Sequence, residues 1–249
     1  MRPEKVEIKV TLADAPDPAA PARHVEEAVE RLGLTGADPW TVVFCEDVTD
    51  AAASTALLDI GVVLRVRGKT ATTGDSTIKL RPSRWSQLDP EYFENVDADE
   101  DNLEDLKIEA DWAGEKRSLA ASMTVKWSDS RLADGRQVAE LFSKKQLDFL
   151  ATSSVGRVNL AAVSMLPPIT ATRFGEITVD GLTSKVRGER WRVDELDFLE
   201  LSILVKPKNA VAAQAALTAF MQQKQLPVDD SQVSKTRRVL EHLIATSTI

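Results

Sequence analysis

Between Lys5 and Leu12 the chain alternates without a break: Val6, Ile8, Val10 and Leu12 are apolar, while Lys5, Glu7, Lys9 and Thr11 are polar. Period-two alternation puts the two sets on opposite faces of a β-strand, one dry and one wet. The same pattern recurs. Leu64 and Val66 leave Arg65 and Arg67 on the wet side, and Ile78 and Leu80 leave Thr77, Lys79 and Arg81. Leu106, Ile108 and Ala110 leave Lys107, Glu109 and Asp111, and Met123, Val125 and Trp127 leave Thr124 and Lys126. Trp191 and Val193 assign Arg190, Arg192 and Asp194 to the wet face, and Leu199, Leu201 and Ile203 assign Glu200 and Ser202. Lys and Arg predominate on these faces, although the whole chain carries 39 acidic against 31 basic residues, a formal net charge of −8.

Two architectures accommodate that inversion. An open antiparallel sheet with one solvated face gives charged alternation, and its lysines and arginines protect the edges; such a protein would need no ligand. A closed barrel with a polar lumen instead crowds the cations together, and they repel unless a multiply charged anion lies among them. Carboxylates interspersed among those cations suit Mg²⁺ or Mn²⁺, which take oxygen ligands and bridge phosphates.

The remaining segments read as helices and loops around the strands. Pro21 opens an amphipathic helix through Val25, Ala28, Val29 and Leu32, with Gly33 as its C-cap. Strands are expected at about 40–45, 57–67, 76–81, 106–112, 119–127, 170–179, 191–195 and 199–206, with Gly114 in a hairpin turn. A helix is expected near 136–152, within a helical insertion spanning about 131–165. Ala213, Ala216, Leu217, Phe220 and Met221 mark another, and Ser231 or its neighbour caps a last one. The acidic stretch at about 89–104 reads as a solvated loop; it lacks the glycine and spaced ligands of a calcium loop. Few crossover helices between long strands argue for an antiparallel sheet with helices outside it, an α+β fold, in one domain over residues 1–249.

Several functions are disfavoured. A pI near 5.0 does not suit a general nucleic-acid binder. No apolar run approaches the roughly 20 residues that span a bilayer, and the first residues lack a secretory layout. Cys45 is the only cysteine and reads as a core residue, so a cytoplasmic location is expected. His24 and His242 stand apart on helical stretches, which disfavours a histidine triad or two-histidine zinc site. No glycine-rich phosphate loop is present. Trp112, Trp127 and Trp191 read as core, leaving no clear platform for a nucleobase.

Taken together, these residues resemble the CYTH family, the triphosphate tunnel metalloenzymes. Lys5-Val6-Glu7-Ile8-Lys9 resembles its opening E-x-E-x-K, Leu64-Arg65-Val66-Arg67 its paired arginines, and Thr77-Ile78-Lys79 its T-x-K strand. Arg173 in Thr170–Arg173, Phe198-Leu199-Glu200-Leu201-Ser202 and Ser234-Lys235 resemble its later strands and last helix. The resemblance implies a β-barrel tunnel in which Lys9, Arg65, Arg67, Lys79, Lys126 and Arg173 bind a triphosphate. Glu7 and Glu200 would hold Mg²⁺ or Mn²⁺, and Glu7 and Lys9 would serve catalysis. Inorganic triphosphate, a nucleotide or thiamine triphosphate would be hydrolysed. Lys5 and Ser202 stand where the family has carboxylates, which favours the alternative of a non-catalytic polyphosphate or organic-phosphate binding module. Glu109 and Asp111 are candidate supplements to Glu7. Homo-oligomerisation stays open.

Overall fold

The computed structural model describes residues 3–15, 20–49, 55–82, 84–90, 104–132, 136–153, 155–229, 231 and 233–247. Most of the acidic stretch, residues 91–103, therefore lies outside the described residues. The strands are β1 (Lys5–Thr11), β2 (Asp38–Asp47), β3 (Val62–Gly68), β4 (Gly74–Leu80), β5 (Glu104–Ala113) and β6 (Lys116–Trp127), then β7 (Val163–Met165), β8 (Ile169–Arg173), β9 (Val186–Val193) and β10 (Leu196–Val205). The helices are α1 (Pro21–Leu32), α2 (Ala56–Asp59), α3 (Lys144–Thr152), α4 (Ala210–Gln223) and α5 (Lys235–Thr246).

Strand order is β3-β4-β6-β5-β1-β10-β9-β8-β2, and β2 pairs back onto β3, closing a nine-stranded barrel. The short β7 extends this sheet as a tenth strand alongside β2. Closure removes the exposed edges that an open sheet would carry. The barrel is mixed rather than wholly antiparallel: β1 runs parallel to β5, with Glu7 beside Asp111. That pairing follows from chain order, since β1 is inserted between β5 and the antiparallel β10.

The dry faces point outward, under helices. Val6, Ile8 and Val10 of β1 and Leu199, Leu201 and Ile203 of β10 pack with Val25, Ala28 and Leu32 of α1 and Ala213 and Leu217 of α4. Leu64, Val66, Ile78 and Met123 pack with Leu141, Phe149 and Leu150. The wholly buried Gln146 of α3 ties this layer to the sheet, donating to the carbonyls of Ser76 (2.9 Å) and Met123 (3.1 Å) and accepting from Ser76 Oγ (3.0 Å). A third cluster differs: Phe44, Val63, Trp191 and Phe198 join Val239, Leu240, Leu243 and Ile244 of α5. Phe44 is opposite Arg65 and Val63 opposite Lys79, so this cluster lies on the inward faces and α5 packs against them.

Several expectations are corrected. The run at 57–67 divides into α2 and β3, because Glu46, 1% exposed, accepts from the backbone amides of Leu57 (2.6 Å) and Leu58 (3.3 Å). The helix near 136–152 divides into a 3₁₀ turn, Val138–Leu141, and α3, where Ser143 and Gln146 form a capping box. Ser234 rather than Ser231 caps α5, accepting from Arg237 N at 3.3 Å. His242 is half-buried, and Cys45 is a buried core residue. Gly114, at φ +57°, turns the β5–β6 hairpin.

At Gly74 a Cβ would collide with the Arg67 carbonyl and the Trp127 ring. Gly74→Ala is expected to lower stability by about 1–3 kcal/mol through this overpacking, read as a fall of several degrees in Tm.

Candidate functional site

With the dry faces outward, register assigns the lumen. Across each antiparallel pair, opposed residues share a face. Arg65 is opposite Thr77, which is opposite Thr124; Arg67 is opposite Asp75; Arg173 is opposite Glu189, which is opposite Glu200. Glu7, Lys9 and Thr11 of β1 lie between Ser202 and Glu200 on one side and Glu109 and Asp111 on the other. β9 reverses the sequence assignment: Glu189 and Trp191 face inward, while Arg190 binds Asp197 outside at 2.6 and 2.8 Å. Its apolar Trp191 and Val193 serve the inner cluster, so hydrophobicity alone named the wrong face.

These residues enclose a chamber of about 560 Å³, lined by nine lysines and arginines against four carboxylates. Glu7, Lys9, Arg65, Arg67, Lys79, Arg173 and Glu200 all line it. Lys126 is exposed and lines neither chamber of the barrel; it lies one step beyond Thr124, opposite Asp75. Lys5 is also exposed. Arg81, Lys107, Arg187, Glu189 and Lys235 line the chamber without having been singled out as site residues. Arg81 was legible as the next wet position after Lys79. Lys235 was not, because it reaches the lumen from a helix.

Most of the charge is paired. Lys9 Nζ lies 2.7 Å from Glu7 and 3.5 Å from Asp111, and Lys79 Nζ lies 2.7 Å from Asp111. Arg67 grips Asp75 bidentately at 2.7 and 2.8 Å. Lys235 bridges Glu189 (2.7 Å) and Glu200 (3.0 Å) and sits 4.3 Å over the Trp191 ring. Burial opposes ionisation of Asp111, but Lys9, Lys79 and Arg81 outweigh it and hold its carboxyl well below the usual range. Burial likewise works against charged Lys9, yet Glu7, Asp111 and Glu200 raise its pKa.

Arg65 is the exception. Its Nε is buried with no hydrogen-bond partner, and Nη2 reaches only Thr77 Oγ1, at 3.4 Å. Burial, and next Arg67, pull its pKa down to about 10. Lys79 is shifted down too, by burial and then Lys9. Both shifts record cations held in low dielectric with too little negative charge nearby. A further aromatic stands at this end: Trp40 has Arg173 at 4.8 Å, Arg67 at 5.6 Å and Lys69 at 5.7 Å over its ring, and its indole N–H donates to Asp38 at 3.0 Å.

The carboxylates expected to share a metal are not brought together. Glu200 is opposite Thr11, four residues along β1 from Glu7, which is roughly 13 Å of strand. Lys9 lies between them. Glu7 instead neighbours Asp111, with Glu109 one step away. Asp111 Oδ1 is buried without a hydrogen bond, and the Glu109 pKa is raised by burial and then by Glu7. These carboxylates are hard oxygen donors, but their ligand atoms do not converge within 4.8 Å, and the Asp111 oxygens face Lys9 at 3.5 Å and Lys79 at 2.7 Å. Among the described residues, the one group of three whose ligand atoms lie within 4.8 Å of one another is Asp194, Glu195 and His242. That acidic group can hold a metal ion, but it lies on the β9–β10 turn and α5, away from the chamber residues.

Comparison with solved structures gives the same architecture. A candidate adenylyl cyclase from Hippeastrum, HpAC1, described as having a dominant triphosphatase activity, superposes with a TM-score of 0.55 at 14% identity, covering 94% of this chain and 93% of its own. A candidate adenylate cyclase from Bacillus halodurans gives 0.58 at 12% identity, over 94% and 98%. No family profile and no curated protein sequence matches the chain. The likeness therefore defines a class by fold: a closed mixed barrel of the CYTH type, with helices outside and a charged tunnel within. Among the described residues no helix is long and apolar enough to cross a membrane.

Proposed function

We propose that the tunnel binds a triphosphate-containing anion, with Lys9, Arg65, Arg67, Lys79 and Arg173 as its phosphate ligands. The observation that carries this reading is Arg65, half-buried and with its Nε buried without a hydrogen-bond partner, in a chamber of nine cations and four carboxylates. Converging cations in a partly desolvated cavity are stabilised by an incoming polyanion and repel one another without it. Arg81 and Lys235, which were not among the expected phosphate ligands, join this set.

Hydrolysis of the bound triphosphate is the second reading. It is favoured by the placement of Glu7, Glu109 and Asp111 beside the cations, and by the triphosphatase activity described for the Hippeastrum protein. Glu7, Glu109 and Asp111 would hold Mg²⁺ or Mn²⁺ only on drawing closer together than they stand here. Such an ion supplies charge neutralisation and Lewis acidity at phosphoryl oxygens. Lys9 and Lys79 would orient the phosphates against those carboxylates, and Arg65 would balance charge developing on the transferred group. Lys5, Ser202 and the Lys9–Glu7 pair favour binding without turnover, and the two outcomes separate experimentally.

Thermal unfolding with inorganic tripolyphosphate should show stabilisation that weakens with salt; at a hundredfold excess over Kd it reaches about 2.7 kcal/mol. Phosphate release from tripolyphosphate, ATP and thiamine triphosphate is then measured with Mg²⁺, Mn²⁺ or chelator. Release that needs metal and disappears in Glu7→Ala establishes a hydrolase. Stabilisation without release makes the protein a binding module. Absence of both refutes the ligand assignment.

A further inference from the structure

A second chamber of about 750 Å³ opens beyond the C-terminal end of β1 and shares Lys9, Arg81, Glu200 and Lys235 with the basic one. Its volume is that of an ordinary small-molecule site, and its wall is of a different character. The described residues leave five large apolar side chains exposed, and three of them, Ile60, Trp85 and Val233, face this one chamber. They come from separate segments: the turn before β3, a 3₁₀ turn after β4, and the approach to α5. Apolar groups converging from distant parts of a chain on one concave surface mark a place that is covered when occupied.

Trp85 is the largest of them. It is 40% exposed, and among the described residues its indole has no hydrogen bond, ring neighbour or cation. Its backbone is held: the turn is closed by Arg84 N donating to Gln87 Oε1 at 3.0 Å and Leu88 N donating to the Trp85 carbonyl at 3.0 Å. Trp40, at the opposite end, already carries three cations over its ring. Two of the cations at the Trp85 end are engaged as well. Arg117 donates to the Gly114 carbonyl (2.6 Å) and Gln214 (2.7 Å), and Arg237 pairs with Asp59 at 2.7 Å. Arg84 and Lys116 also line this chamber without an ion pair among the described residues, so charge alone admits further phosphates here; the uncovered indole face adds a surface on which a planar ring can stack.

Building on the phosphate-binding assignment, we infer that the ligand is an organic triphosphate rather than a bare inorganic one. Its phosphates lie in the basic chamber, and a planar heterocycle stacks on Trp85 in the second. Trp85 is then the residue that sets specificity, since stacking on an aromatic tolerates many rings while the cations read only phosphate.

The test is titration calorimetry of the full chain with tripolyphosphate, ATP and thiamine triphosphate, using wild type, Trp85→Ala, Trp85→Phe and Trp40→Ala. At least one organic triphosphate should bind wild type about tenfold or more tighter than tripolyphosphate. Trp85→Ala should weaken that ligand roughly 10- to 100-fold, with Trp85→Phe restoring most of it and tripolyphosphate affinity holding within about twofold. Equal affinities for organic and inorganic ligands, or an equal loss of both in Trp85→Ala, overturn the inference and leave phosphate binding intact. Loss in Trp40→Ala instead would put the ring at the opposite mouth and also overturn it. If none of the three ligands binds, this inference and the reading beneath it fall together.

Discussion

Replacing Arg65 by Met is expected to leave the ligand-free protein as stable as wild type or more so, while abolishing its response to tripolyphosphate. The side chain is half-buried with its Nε buried and unpartnered, has one long contact to Thr77 and lies beside Arg67, which disfavours its charge. Exchanging poorly compensated buried charge for an apolar side chain of similar length is commonly neutral or stabilising, by up to about 4 kcal/mol. For a chain of this size each kcal/mol moves Tm by about 2–4 °C, so a rise of up to about 16 °C is within reach. Binding moves the other way. Loss of a desolvated charge that contacts a ligand costs about 2–5 kcal/mol, so affinity should drop roughly 30-fold or more. The opposed signs make the experiment decisive. A variant that loses stability and keeps tripolyphosphate binding would show that Arg65 is structural and does not bind the phosphates.

Lys235→Met should have the opposite effect on the free protein. Lys235 is 8% exposed and bridges Glu189 and Glu200. Removing it strands two carboxylates at the start of α5. Breaking a buried pair in this way costs about 3–5 kcal/mol, a fall of roughly 6–20 °C in Tm at pH 7. The deficit should depend on pH. Burial would raise the Glu189 pKa, but Lys235, then Arg65 and Arg67, bring it down to about 2 from an ordinary 4.5. A carboxylate depressed on folding contributes stability above its unfolded pKa and loses it as pH falls through the folded one. Wild type should therefore lose this contribution between about pH 4.5 and 2. In the variant Glu189 loses its nearest cation and takes up its proton at higher pH, so the gap between the two proteins should narrow on acidification. Unfolding curves at pH 7, 5 and 3.5 test this; a gap that stays constant would mean that Lys235 acts by packing on Trp191 rather than by charge.

Much of the barrel was legible along the chain because a strand's period of two is local. The dry faces of β1, β3, β4 and β6 and the cationic positions Lys9, Arg65, Arg67 and Lys79 follow from alternation alone. The segments that went astray are those where a distant contact overrides the local pattern. Glu46 caps α2 within a run that reads as strand. Gln146 holds α3 against β4 and β6. On β9, Trp191 faces inward because α5 brings apolar cover to that end of the barrel.

The amino-acid sequence by itself determined that this chain would build strands with one dry face and one basic face and, β9 apart, which lysines and arginines those faces carry. Alternation and charge belong to each segment and need no partner. Tertiary structure alone decided how the charges meet. Closure through the β2–β3 pairing and the parallel β1–β5 register place Glu7 beside Asp111 rather than Glu200, set Lys126 outside both chambers and bring Lys235 in from a helix. Register and closure are relations between segments far apart in the chain, fixed by the packing of outward faces under helices, so no single stretch of residues contains them.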